Sequence, residues 1–187
     1  MGDQSLLLAA LFDGWDGYHT SIVHAIETLS EAQLAWRVAA GQRSVGEAAW
    51  HIAMGRIGWF VRMAAPRSHE LYEAGQALLL PGGEIVSANA NDLALLLHWL
   101  DASWGMIDET LHSWTAADLA RTFVQPYQGK VYACSFQWTL WRIMSHDIHH
   151  GGQLALMLGM QGIPVPELGD LGGHLTVPPL VEPGAGI

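Results

Sequence analysis

Apolar residues recur every three or four positions over four long stretches of this chain. That period suits an amphipathic helix and excludes a half-buried strand. The first stretch runs from about Ser5 to Leu29, with Leu6, Ala9, Leu11, Ile22, Ile26 and Leu29 at helical spacing. Gly14 and Gly17 weaken it, each by about 1 kcal/mol relative to alanine. Ser30 is placed to cap a short turn, Glu31 to Leu34. The second helix has the sharpest start signal, because Ser44 and Glu47 form a capping box that satisfies amide donors left unpaired by the first turn. It continues to about Ala65, where Pro66 stops it, and a loop with Pro81, Gly82 and Gly83 follows. The third spans about Asn91 to Ser113, capped by Asn91 or its neighbour, with Leu93, Leu96, Leu97, Leu100, Trp104, Ile107 and Leu111 inward. Thr115 is placed to cap another short turn, and Arg121 to Cys134 reads as irregular or as a short hairpin. The fourth helix runs from about Ser135 to Gln161 and ends at Gly162 and Pro164.

Four such helices joined by Gly- and Pro-rich links imply an all-α four-helix bundle with short extra helical turns. Residues 1–165 make the bundle domain, and 166–187 make an irregular C-terminal tail packed on it or extending from it. A chain of 187 residues buries roughly 70% of its unfolded surface and needs no disulfide to fold. The single cysteine, Cys134, excludes an internal disulfide and suits a reducing compartment; its expected role is that of a small buried hydrophobe. The 18 acidic residues outweigh 8 Lys plus Arg, giving a net charge of −10. Such a surface repels phosphate backbones and anionic lipid, which argues against nucleic acid and membrane as partners. The start of the chain lacks the basic region of a secretory signal, and no apolar stretch reaches the ~20 residues needed to span a bilayer. The expectation is a cytoplasmic protein acting on a small molecule.

Of the ten histidines, His19, His24, His69, His98 and His112 are scattered and read as surface or hydrogen-bonded residues. The informative cluster is His146-Asp147-Ile148-His149-His150. Residues four apart lie on one helix face, so His146 and His150 can direct ring nitrogens at one ion. Phe136, Leu140, Ile143, Leu154, Met157 and Leu158 define the apolar stripe. His150 falls inside that stripe, His146 at its edge, and His149 outside. Asp147 also falls inside, where a lone carboxylate is costly without a cation or donor. It suits a hydrogen-bond partner for a ligating imidazole or a general base. Spacing alone leaves open a histidine-rich turn in which Asp147 bonds Arg142 or backbone. A third ligand is needed, and the residues leave both His51 and His174 as candidates.

Two segments together resemble the DinB-like superfamily of metal-binding four-helix bundles, which includes the YfiT-type proteins. One is Ser44-Val-Gly-Glu-Ala-Ala-Trp-His51-Ile-Ala, following Trp36-Arg37 and Gly41; the other is His146-Asp-Ile-His-His150-Gly-Gly-Gln153-Leu. The likeness covers most of the chain to about Pro166, and Trp15 and the Leu29 to Leu34 link also fit it. It implies a divalent transition metal on His51, His146 and His150, most often zinc or nickel, with iron or manganese as further options. It also implies frequent homodimers. Characterised relatives include bacillithiol S-transferases and mycothiol-dependent maleylpyruvate isomerases. The expected function is therefore activation of a low-molecular-weight thiol cosubstrate, for S-transfer or isomerisation, or of water for hydrolysis. Asp147 would be the base, and Gln153 would orient a ligand or solvent. Two departures bear on substrate more than on metal: Gly151 replaces a frequent arginine, and Gly55 stands where an acidic residue often follows the histidine.

Other readings stay open at this level. Trp50, Trp59, Trp138 and Trp141 flank the histidine segments and would line a pocket or fill core and interface. His146-Asp147-x-x-His150 differs from a zincin motif by a shorter carboxylate, with His174 as the downstream ligand. A non-catalytic metal- or ligand-binding bundle is the alternative to an enzyme.

Overall fold

The computed structural model describes residues 6–169. Ser5, His174 and the tail from residue 170 lie outside the described residues. Helices α1 (Trp15–Ile26), α2 (Glu31–Ala35), α3 (Val45–Phe60), α4 (Ser68–Gln76), α5 (Ser87–Ala90), α6 (Leu93–Ser113), α7 (Phe136–Met160) and α8 (Pro166–Gly169) follow in chain order. Strands β1 (Thr122–Tyr127) and β2 (Lys130–Ser135) form an antiparallel hairpin between α6 and α7. Its turn places Gln128 and Gly129 at φ 48° and 73°. No helix among the described residues is long and apolar enough to cross a membrane.

The bundle consists of α1, α3, α6 and α7, and both α1 and α3 pack against α6 and α7. Ile22, Ile26, Ile52, Ile57, Phe60, Leu100, Ile107, Leu140, Ile143 and Leu154 have no exposed surface. Each such side chain contributes on the order of 1.5–3 kcal/mol by leaving water. Helix starts follow the cap chemistry in the sequence. Glu47 N–H donates to Ser44 Oγ at 3.2 Å, and Ser44 N–H donates to Glu47 Oε2 at 3.0 Å. Ser30 and Gln33 form a second box on α2, Ser135 caps α7, and Asp92 rather than Asn91 caps α6.

Three expectations are corrected. The first stretch is not one helix: a 3-10 turn at Leu8–Ala10 precedes a break, and α1 begins after Gly14 at φ 90°. Glycine tolerates that left-handed value, and it lets the chain turn so that Leu7 pairs with Thr115. The segment after Pro66 is not all loop, because α4 and α5 occupy part of it. Only Ser68, Leu71 and Gly75 of α4 are buried, too sparse a stripe to announce a helix. On α6, Trp99 and Met106 are buried, whereas Leu93, Leu97 and Trp104 are half-buried. Of the tail, α8 packs against α1 and α7 through the buried Leu168.

Candidate metal centre

Helix α3 contributes His51, and α7 contributes His146 and His150 one turn apart. Ligand atoms of the three lie within 4.8 Å of one another. His51 Nε2 and His146 Nε2 are 3.2 Å apart. An ion about 2.1 Å from each nitrogen of a tetrahedral site would separate two of them by about 3.4 Å. Ring centroids stand 4.4 Å apart for His146 and His150, and 4.6 Å apart for His51 and His150. Three imidazoles so arranged fit a divalent transition metal in donor type and spacing. His149 stays exposed on the outer face, as the stripe on α7 requires.

Neighbouring residues fix the rings. His150 Nδ1 donates to Gln153 Oε1 at 2.7 Å, so its proton sits on Nδ1 and Nε2 carries a lone pair. Gln153 Nε2 in turn donates to His149 Nε2 at 3.2 Å. Burial pushes His51 down to about 3, with the charges of Arg43, His150 and His146 adding to it. Burial also takes His150 down to about 4, against the opposing effect of the hydrogen bond it donates to Gln153. Both are therefore neutral, and able to ligate, at pH 7. Gly55 lies one turn beyond His51 and admits the His146 ring: a Cβ there would stand 2.5 Å from His146 Cε1 and 2.9 Å from Nε2. Gly151 similarly admits Tyr18, whose hydroxyl donates to Ile148 O at 3.0 Å; a Cβ would stand 2.9 Å from Tyr18 Cζ. At both positions the absence of a side chain thus answers to space.

Asp147 has no exposed surface. Its Oδ2 accepts from Trp15 Nε1 and from Arg56 Nε, each at 2.9 Å. The cation beside it is Arg56, and not the Arg142 that the sequence left open as an alternative. Arg56, equally buried, also donates through Nη1 to His19 Nδ1 at 3.2 Å and to Ser103 Oγ at 3.3 Å. Burial and the adjacent guanidinium take His19 down to about 3, so it accepts as a neutral ring. Burial and then the Asp147 charge raise the Tyr18 phenol to about 12. Sequence reasoning passed over Arg56, noted Trp15 only as part of the family likeness, and read His19 as a surface or hydrogen-bonded residue, of which the second holds. The available signal was an arginine inside an apolar helix and a carboxylate inside another apolar stripe, since two opposite buried charges require each other.

A half-open cleft of about 660 Å³ reaches His51 from outside. Trp50, Met54 and His51 of α3 form one wall, with Tyr72 and Gln76 of α4 opposite, and Arg37, Arg43 and Glu84 lie on the loops around it. Arg37 is held by Glu47, whereas Arg43 has no ion-pair partner among the described residues. Of the four tryptophans, only Trp50 lines this cleft. Trp59 meets Trp138 edge to face under Arg142, and Trp138 and Trp141 are exposed. Cys134 is buried and free.

Residues 19–154 match the sequence profile of the DinB superfamily. No curated protein matches the chain in sequence at a significant level. A DinB-like protein from Bacillus cereus superposes with a TM-score of 0.59 at 19% identity, covering 87% of this chain and 98% of its own. A DinB-like protein from Bacillus subtilis superposes at 0.54 with 14% identity, covering 81% and 91%. At these identities the likeness supports the fold.

Proposed function

Because the chain belongs to the DinB superfamily, we propose that it is a metal-dependent enzyme acting on a small molecule, activating a low-molecular-weight thiol for S-transfer or isomerisation, or water for hydrolysis. One observation carries this reading: His51, His146 and His150 converge, and His51 opens onto a cleft. Structural zinc sites usually close with four protein ligands, so three imidazoles leave a position for chemistry. The ion is zinc or nickel in this reading, with iron or manganese as alternatives. When bound, it supplies Lewis acidity that lowers the pKa of a thiol or water.

The chain's own residues supply the rest. Gln153 holds the His150 tautomer, which favours a role in orienting that ligand over contact with substrate. Asp147 is fully buried and held by Trp15 and Arg56, which favours support of a ligand over proton abstraction from substrate. His51 fills the third position beside His146 and His150, which favours this set over a zincin-like one with His174. Substrate would meet Arg43, Tyr72 and Trp50 in the cleft. A homodimer is supported by the hairpin's outer face, where the cross-strand pairs Val124–Ala133 and Pro126–Val131 are exposed. A cytoplasmic site of action is supported by the lone free thiol.

The test is elemental analysis of protein purified without added metal, followed by thiol titration of the cobalt-loaded form. One equivalent of metal, lost in His51→Ala, His146→Ala and His150→Ala, is expected, as is a thiol-dependent change in the cobalt spectrum. Metal uptake that survives all three substitutions overturns the site. Metal uptake with no response to any thiol, and no hydrolytic activity, favours the non-catalytic binding bundle.

A further inference from the structure

We infer that Arg56 is a positioning residue for this centre: with Trp15 it locks the Asp147 carboxylate so that Oδ1 receives the Nδ1–H of His146. The inference rests on the metal reading above and assigns roles that reading leaves blank. Asp147 Oδ1 and His146 Nδ1 are both buried, and neither has a hydrogen-bond partner. They stand 3.8 Å apart. A buried acceptor and a buried ring nitrogen left unpaired side by side are a cost unless a state exists in which they join. Metal binding supplies that state: once Nε2 of His146 gives its lone pair to a cation, the ring proton must sit on Nδ1. Ligating imidazoles commonly donate this second N–H to a carboxylate, which fixes the ring and raises its basicity.

The remaining contacts show how the carboxylate is held for that purpose. Both donors, Trp15 Nε1 and Arg56 Nε, sit on the other oxygen, Oδ2, and leave Oδ1 free. Arg56 is itself pinned by His19 on α1 and Ser103 on α6. Elements carrying no ligand thereby set the position of a ligand on α7. A fully buried ion pair seldom stabilises a core more than apolar residues of equal volume would. Its presence beside His146 fits a role in setting the geometry of that ring.

The experiment is zinc titration of the metal-free protein against a chromogenic chelator, for wild type, Asp147→Asn, Arg56→Lys and Trp15→Phe, with thermal unfolding as the fold control. Nitrogen-15 NMR of the imidazoles adds a reading that overall stability does not move. The zinc-loaded wild type should show a proton on His146 Nδ1 with the downfield shift of a strong hydrogen bond. Asp147→Asn and Arg56→Lys should bind zinc 10- to 100-fold more weakly and lose that shift, and Trp15→Phe should lose less. Where Asp147→Asn or Arg56→Lys does not fold, Trp15→Phe decides by the same two readings. Folded variants with wild-type affinity and an unchanged His146 signal overturn the inference and leave the metal centre standing. A wild type that takes up none of zinc, nickel, iron or manganese brings down the metal reading and this inference together.

Discussion

A single methyl group placed on Gly55 separates the metal centre from the fold that carries it. In Gly55→Ala the new carbon would stand 2.5 Å from His146 Cε1 and 2.9 Å from Nε2. Ordinary contacts between such atoms are about 3.5–4.0 Å, so the ring must retreat by about 1 Å. Metal–nitrogen bonds of about 2.1 Å tolerate errors near 0.2 Å, so a retreat of that size takes His146 out of bonding range. Loss of one ligand in three should weaken zinc binding about 100-fold, or about 2.7 kcal/mol. In stability a helix gain of up to about 1 kcal/mol is opposed by about 1–3 kcal/mol for displacing the half-buried ring, so Gly55→Ala should be less stable than the control below. Gly58→Ala is the matched control: it lies one turn on in α3, and its Cβ would meet only Arg62 Nη1, at 3.7 Å. It should raise stability and leave zinc binding unchanged. Chelator competition gives the affinities, and thermal unfolding of the metal-free proteins gives the stabilities. If Gly55→Ala binds zinc as wild type does, His146 is not a ligand from the position it occupies, and the reasoning fails.

Three further outcomes are expected. His19 is held near 3 in the fold against an ordinary value near 6.5, so the unfolded chain takes up its proton first and stability falls as pH drops through that interval. At pH 4.5 the loss from this one ring is on the order of 2–3 kcal/mol; urea denaturation at pH 7 and 4.5 should show a smaller difference for His19→Asn than for wild type. Gly151→Ala should cost about 1–3 kcal/mol by driving into the Tyr18 ring. Tyr18→Phe should cost less, and in the double variant part of the Gly151→Ala loss should be recovered; purely additive losses on denaturation would contradict that contact. Sedimentation velocity should show a dimer that Val124→Glu with Val131→Glu converts to monomer, if the hairpin face is where two copies meet.

What the sequence disclosed depended on whether the signal was local. Ser44 with Glu47 announced the start of α3 because a capping box is complete within four residues. The stripe on α7 separated His146 and His150 from His149 because one helix fixes its own angular order. His51 could not be assigned that way. Its helix is apolar around most of its circumference, and only the likeness to a family brought it forward. Asp147 was legible as buried, but its partner Arg56 lies on another helix, and no period within α7 points there. The α4 helix escaped because its apolar residues are few and tertiary contacts hold it, and the break at Gly14 escaped because the apolar residues on each side of it are helically spaced, while the shift of phase between Ala9 and Ile22 that marks it went unread.

The two sides of the cleft differ in what they carry. Among the described residues the candidate ligands stand on α3 and α7, in the middle of the bundle, whereas the facing side comes from α4 and the loops around residues 37–43 and 79–87. Tyr72, Gln76 and Glu84 make no hydrogen bond to the imidazoles or to the residues that hold them, whereas the charge of Arg43 reaches His51. A library varied at Tyr72, Gln76 and Glu84 would accordingly alter which molecules enter while the ion-holding centre stays the same, so selectivity and reactivity can be engineered one at a time.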